Sequence, residues 1–393
     1  MEKTVEKKFE KSKLMIKKIG GLIEILNAWP INQSEKKLTM FIIYLSYETI
    51  YLSMAFNDVV SIFGNLQLMT ANLLGTLVQL VMVLRLIFIR FSVKIKEIIE
   101  ETFDNCDAKN YPSKSEKEIY IKYSLKAKKF YLVTMTSIIS AAFYFCLLPL
   151  QKCLIYWLLN YPATLELPYR VKLFNSNDTS YRQTILLYIF EMPLPVTAIC
   201  YIASINLQYV IISNICARIA ILANKIKNIN CNKDNKTESL IKHIVLKHVE
   251  LIKLIHRINQ TCTPMLFVEL LIWIPLLALV MFSAIVALEA SETIAFLMLF
   301  TYICAALACL FANCLMGEIL LTEHKNLQET FYVCNWEEMS VKSKQSWLIC
   351  MVSGATIPMQ ITAGKIYILS FNGFTGILRS SMAYVSLLRT LTV

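Results

Sequence analysis

Apolar residues run through this chain in long blocks, nearly free of charge and separated by shorter polar stretches. Blocks near residues 38 to 57, 66 to 88, 130 to 150, 184 to 210, 265 to 288, 293 to 316 and 366 to 391 each approach or exceed the roughly 20 residues that a helix needs to cross about 30 Å of hydrocarbon. Lipid offers no partner to a backbone N–H or C=O, and blocks of this length are too long for barrel strands. The pattern therefore predicts an all-α membrane protein with seven transmembrane helices. A second pattern lies between the blocks. In SLIKHIVLKHVELIKLIHRI, residues 239 to 258, Ile241, Ile244, Val245, Ile252, Ile255 and Ile258 recur at helical spacing while Lys, His and Glu fill the other face, which is too charged to span. Residues 215 to 229 prolong the fourth block in the same way, and residues 345 to 360 are apolar but interrupted by Gly354 and Pro358. Cytosolic helical extensions are expected there. With no internal repeat and no dividing linker, residues 1–393 read as a single membrane domain.

Composition agrees: of 393 residues, 56% are hydrophobic and only 9 are Gly and 10 Pro, too apolar for an ordinary soluble domain. The net charge of +11 decides sidedness rather than pointing to nucleic acid. Of the 39 Lys and Arg, 32 fall before the first block or in residues 89 to 129, 211 to 264 and 317 to 365, whereas the alternate loops hold only Lys152, Arg170, Lys172 and Arg182. The positive-inside rule then places the N-terminus in the cytosol and, after seven crossings, the C-terminus outside, the reverse of a G-protein-coupled receptor. Residues 1 to 37 show no apolar stretch before a cleavage site, so the first span is expected to serve as the insertion signal. The twelve Cys lack CxxC spacing and suggest no disulfide framework. Sequons stand at Asn32, Asn177, Asn235 and Asn259, of which the charge topology leaves only Asn177 outside as a glycosylation candidate.

Enzyme chemistry is missing. His243, His248, His256 and His324 have no HExxH spacing, and neither GxSxG nor GxxxxGK[ST] occurs, so no catalytic site, metal or cofactor is expected. Glu191 and Glu269 are acidic residues within apolar blocks. An intramembrane carboxylate is a functional candidate, although Glu269 is expected to reach water near a span end.

The last block, FNGFTGILRSSMAYVSLLRTL, is unusually polar. On a helical wheel Gly373, Gly376, Ser380, Ala383, Leu387 and Leu391 share one stripe; Phe371, Phe374, Leu378, Met382 and Val385 lie opposite, and Arg379 sits on a polar flank. Two readings stand. Small residues at this spacing allow close packing between helices. They also suit the wall of a symmetric pore, with Leu387 and Leu391 closing its outer end by excluding water.

The C-terminal part resembles the insect odorant receptor family. The resemblance is carried by Gly317, Leu320, Leu327, Tyr332 and Trp336, then Pro358, Thr362, Ala363, Gly364, Lys365, Tyr367, Leu369, Ser370, Phe374, Ile377 and Leu378, and finally Ser381, Tyr384, Leu388, Arg389 and Thr390. His248 also stands where the family usually has His. The resemblance implies an odorant-gated, non-selective cation channel of the plasma membrane of olfactory sensory neurons. It implies a tetramer shared with a co-receptor subunit and set in membrane lipid, with no cofactor. Residues 1–37 would be the cytosolic N-terminus, 38–316 helices one to six with a ligand pocket in their outer half, 317–365 a cytosolic assembly segment, and 366–393 the pore helix. The family's constriction falls on Leu387 and Leu391, with Gly373, Gly376, Ser380 and Ala383 lining the pore. A small volatile ligand is expected to meet Met69, Asn72, Leu73, Phe143, Tyr144, Tyr188, Met192, Phe296 and Phe300. Asn206 replaces an acidic residue common in the family's fourth helix, Val385 replaces the terminal aromatic, and the fourth to fifth loop lacks the co-receptor's long insertion, so a ligand-tuned subunit is implied. The gustatory Thr-Tyr and Gln-Phe pattern is missing; a gustatory-type channel, a G-protein-coupled receptor and a transporter remain the alternatives.

Overall fold

Ser34, Ser92 and Ser340 each offer a side-chain oxygen to the backbone N–H three residues on, at Lys37, Ile95 and Ser343, and each opens a helix. The structure is a computed structural model that describes residues 2–64, 66–158, 167, 169–172, 181–229 and 235–392. Its elements are α1 (Glu2–Glu24), α2 (Glu35–Ser61), α3 (Leu66–Phe91), α4 (Val93–Asn105), α5 (Lys114–Leu158), α6 (Tyr181–Glu191), α7 (Leu194–Lys227), α8 (Asn235–Glu289), α9 (Thr293–Val333), α10 (Val341–Thr356) and α11 (Phe371–Thr392). A two-stranded antiparallel hairpin, β1 (Thr362–Ala363) and β2 (Tyr367–Ile368), precedes α11. Among the described residues six stretches are long and apolar enough to cross a membrane: α2, α3, α5, the α6–α7 stretch, α8 and α9. The 22-residue α11 has the length, and its polar residues keep it out of that set.

The helix α7 forms the centre of the bundle. Every side chain from Ala203 to Ala217 is buried, and α5, α9, α1, α3 and α8 pack around it. A helix apolar on all sides is a core helix, which is why Ile205, Ile212, Ile215 and Ile219 follow one another here without a solvent face. Several expected blocks are only parts of longer helices: residues 130 to 150 lie within the 45-residue α5, and residues 265 to 288 within the 55-residue α8. The fourth block, 184 to 210, is not continuous. Met192 and Pro193 interrupt it between α6 and α7, because proline lacks the N–H that would continue the helix.

The N-terminal segment, expected only as a cytosolic stretch, forms the 23-residue α1. Phe9, Ile16, Ile19 and Ile23 are buried at helical spacing against α5 and α7, and the Phe9 ring stacks on Tyr120 at 4.7 Å. Its lysines conceal the amphipathic pattern when the search is for spans.

On the cytosolic side the outer turns of α8 and α9 pack with α10. Trp347 is fully buried and donates its indole N–H to the Phe331 carbonyl at 3.0 Å. His248 of α8 packs at 5.1 Å from the Phe331 ring, close to His324 of α9, whose ring nitrogen meets the Gly354 carbonyl at 3.1 Å. Burial, and then the neighbouring His324, pushes the pKa of His248 down to about 4; burial lowers that of His324 as well, against the Gly354 carbonyl. These histidines stay neutral in the fold while an unfolded chain takes up protons near pH 6.5. The contribution of these histidines to stability is therefore indifferent to pH above about 6.5 and falls as pH drops toward 4, by on the order of 3 kcal/mol for His248. Thermal unfolding of the purified protein should shift downward between pH 7 and pH 4.5, and His248→Leu should flatten that acid limb. An equally steep acid limb in the variant would remove His248 as its source.

Candidate functional site

The pore-helix candidate α11 begins where the chain is most firmly seated. Thr362 donates its N–H to the Asn259 side chain at 2.9 Å, and the Thr263 hydroxyl donates to the Thr362 carbonyl at 3.0 Å, so the hairpin lies against α8. Gly364 turns with φ of 64°, and a Cβ there would lie 2.3 Å from the Phe267 ring, so both conformation and space require glycine. At Gly317 of α9 an added Cβ would stand 1.9 Å from the Leu369 carbonyl oxygen, which only a bare backbone admits. Ser370 then accepts the Gly373 N–H at 3.0 Å, and Glu318 accepts the Phe371 N–H at 2.9 Å, capping the N-terminus of α11. The expected start of this block at 366 is thus moved: residues 366 to 370 complete the hairpin and the cap.

Of α11, Ile377, Ser381 and Val385 are buried against α8 and α9. Of the bulky set Val385 joins this seam, Phe374 and Leu378 are half-buried, and Phe371 and Met382 remain exposed. The small-residue stripe is not the seam. Leu387 is 53% exposed, Ala383 is exposed, and a Cβ on Gly376 would meet nothing within 4 Å. Gly373 differs, because a Cβ there would lie 2.2 Å from the Ile368 carbonyl oxygen, so its lower part of the stripe abuts the hairpin. Leu391 belongs to α11, and its side chain falls outside the described residues. Arg379 is exposed, and Arg389 pairs with Glu289 of α8 at 3.3 Å.

The residues expected to meet a ligand divide. Asn72 is buried and wholly engaged, donating to the Ala55 carbonyl, to Asp58 at 2.9 Å and to the Arg170 carbonyl at 3.0 Å. Arg170 also pairs with Asp58 at 2.9 Å, so this network straps the outer loop to α2 and α3. Tyr188 is buried and donates to the Cys146 carbonyl at 2.6 Å. Met69, Leu73 and Phe296 are half-buried, Met192 is 38% exposed, and Phe300 stacks near Phe296 at 6.1 Å. Phe143 and Tyr144 of α5 are the most exposed of the set, at 67% and 60%, ahead of Phe300 at 50%. Asn177 lies outside the described residues.

Two features of this region were not anticipated. The outer-loop Tyr169 is seated on Gly75 of α3, where a Cβ would come within 2.7 Å of its ring, and it meets Tyr51 edge-on at 5.8 Å. Deeper in, Arg85 of α3 is 1% exposed and joins Glu269 of α8 at 2.7 Å, Ser204 at 2.6 Å and Gln208 of α7 at 2.7 Å, with the Tyr201 ring 5.5 Å away. Glu269 is only 4% exposed, so the expectation that it reaches water is corrected; its charge is held by a cation instead.

A many-helix bundle of this length and apolarity defines a polytopic membrane protein, and comparison with known proteins is sharper. Residues 65–382 match the model of the 7tm odorant receptor family, and the chain belongs to that family. It is 23% identical over 94% of its length to odorant receptor 13a of Drosophila melanogaster, covering 93% of that protein. Over 38% of its length, and 31% of the relative's, it is 26% identical to the odorant receptor coreceptor of Anopheles gambiae. The fold matches olfactory receptor OR5 of Machilis hrabei in complex with eugenol with a TM-score of 0.80, at 15% identity over 98% of this chain and 99% of that one. A second structure of the same receptor matches with a TM-score of 0.76 over 97% of this chain and 98% of that one, again at 15% identity. This is a family of receptors, and the chain is an odorant receptor subunit and not an enzyme.

Proposed function

We propose that this chain is the ligand-tuned subunit of an odorant-gated, non-selective cation channel in the plasma membrane of olfactory sensory neurons. In this reading α11 lines a central pore, Leu387 and Leu391 close it, and a small volatile bound in the outer half of the bundle opens it. The supporting observation is the stripe on a helix too polar to face lipid, whose Ala383 and Leu387 are exposed, whose Gly376 and Ser380 are half-buried, and where a Cβ on Gly376 would meet nothing within 4 Å. Copies of α11 around an axis give that stripe a water-filled wall below and an apolar ring above. Ligand contacts come from Met69, Leu73, Tyr188, Met192, Phe296 and Phe300, with Asn72 holding the strap beside them; Phe143 and Tyr144 drop out of the set.

A volatile opens the pore only by binding the open bundle more tightly than the closed one. The segment of α8, α9 and α10 on the cytosolic side provides the surface for assembly with a co-receptor subunit, a partnership suggested by the similarity to the Anopheles coreceptor. Expressed with a co-receptor in a cell line, the chain should give cation currents evoked by members of a volatile panel that the co-receptor alone ignores. Uptake of labelled volatile without current would favour a transporter and overturn the reading.

A further inference from the structure

Glu191, at the end of α6, is 2% exposed; its Oε2 accepts the Tyr169 N–H at 3.1 Å, while Oε1 is buried with no hydrogen-bond partner. Among the described residues no Lys or Arg pairs with it, and Arg170, next to Tyr169 in the loop, is taken by Asp58. Its surroundings are aromatic: Tyr169 meets Tyr51 edge-on, Tyr302 of α9 lies within electrostatic reach of Tyr169, and Tyr47 donates its hydroxyl away, to the Phe190 carbonyl at 2.6 Å. Met192 follows in sequence, Tyr188 lies one turn back, and Gly75 under Tyr169 is one turn from Asn72. The orphan oxygen is thus flanked on its own helix end by Tyr188 and Met192, two of the residues that the channel reading gives to the ligand, and covered by Tyr169.

A buried acceptor without a donor is costly, and a ligand that brings an N–H or O–H relieves the cost, whereas an isostere without one leaves it in place. Ring faces beside a carboxylate also suit the apolar body, or the positive nitrogen, of such a ligand. We propose that Oε1 of Glu191 is the polar contact of the odorant site and selects volatiles carrying an N–H or O–H donor, amines and alcohols, over ethers and hydrocarbons of the same shape. This rests on the odorant-channel reading.

The test uses the full chain with its co-receptor and matched sets: hexylamine, hexan-1-ol, 1-methoxyhexane and heptane, and benzylamine, benzyl alcohol and benzyl methyl ether. Donor-bearing members should be at least tenfold more potent than the capped ones, and the amine to alcohol ratio identifies which donor is preferred. Glu191→Gln keeps an oxygen for the Tyr169 N–H and presents an amide donor to the ligand. It should shrink the potency ratio of donor-bearing to capped members tenfold or more at unchanged surface level, read by biotinylation. Equal potency of capped and uncapped members, or an unchanged ratio in Glu191→Gln, overturns the proposal. Thermal shift of the purified protein with the same compounds reads donor preference without gating, so a chain that binds but passes no current refutes the channel and leaves the selectivity measured.

Discussion

Replacing Arg85 with Met is expected to remove most of the folded protein from the cell surface. The guanidinium is fully enclosed and binds three partners on two other helices, Glu269 on α8 and Ser204 and Gln208 on α7. Removing it strands the Glu269 carboxylate in the bundle with no counter-charge, and breaking a buried pair from one side costs about 3 to 5 kcal/mol. That approaches the whole stability of an ordinary domain. The double variant Arg85→Met with Glu269→Leu removes the stranded charge and should recover much of the loss, because apolar replacement of both partners is often close to neutral. Surface biotinylation and monodispersity on size exclusion give the readout. Equal levels of Arg85→Met and wild type would show that the pair does not hold the helices together.

A second large effect is expected at the outer end of α11. Serine at both Leu387 and Leu391 should produce a standing cation current without odorant, on the order of tenfold above wild type, because a narrow pore stays closed by dewetting only while its ring is apolar. Cysteines at the same two positions should let thiol reagents change the odour-evoked current. A double serine variant as silent as wild type, together with reagents that leave the cysteine variant unaffected, would place the gate elsewhere.

How far the sequence reaches is clear from particular residues. The spans were legible because lipid forces about 20 apolar residues into each crossing, and the charge of the intervening loops set their sidedness. The break at Met192 and Pro193 was visible as a proline and was outweighed by the apolarity on both sides. The helix α1 was hidden by its own lysines, although Phe9, Ile16, Ile19 and Ile23 keep helical spacing. Arg85 and Glu269 were each visible as charges in apolar blocks, yet they are 184 positions apart, and no local pattern says that α3 and α8 meet. The same holds for Tyr169, whose place on Gly75 depends on a loop folding back over the mouth. In α11 the wheel grouped the stripe as a set of positions but did not indicate which side its own chain would cover. That depends on the seam of Ile377, Ser381 and Val385 with α8 and α9.

The seating of Leu369 on Gly317 has a mechanical meaning. Backbone lies against backbone where Leu369 meets Gly317 of α9, the Phe311 ring of α9 stacks on Phe371 at the root of α11 at 5.8 Å, and the Ser370 and Glu318 caps fix the first turn. Farther along, Val385 is buried against α8 and α9, and Arg389 pairs with Glu289. The helix acts as a lever, its root held by backbone and caps and its outer turns by side chains. Leu387 stands sixteen residues beyond Phe371, about 24 Å along the axis at 1.5 Å per residue, so a deflection of about 5° at the root displaces it by about 2 Å. An ångström-scale change at Leu387 therefore needs only a sub-ångström shift where α8 and α9 grip the base.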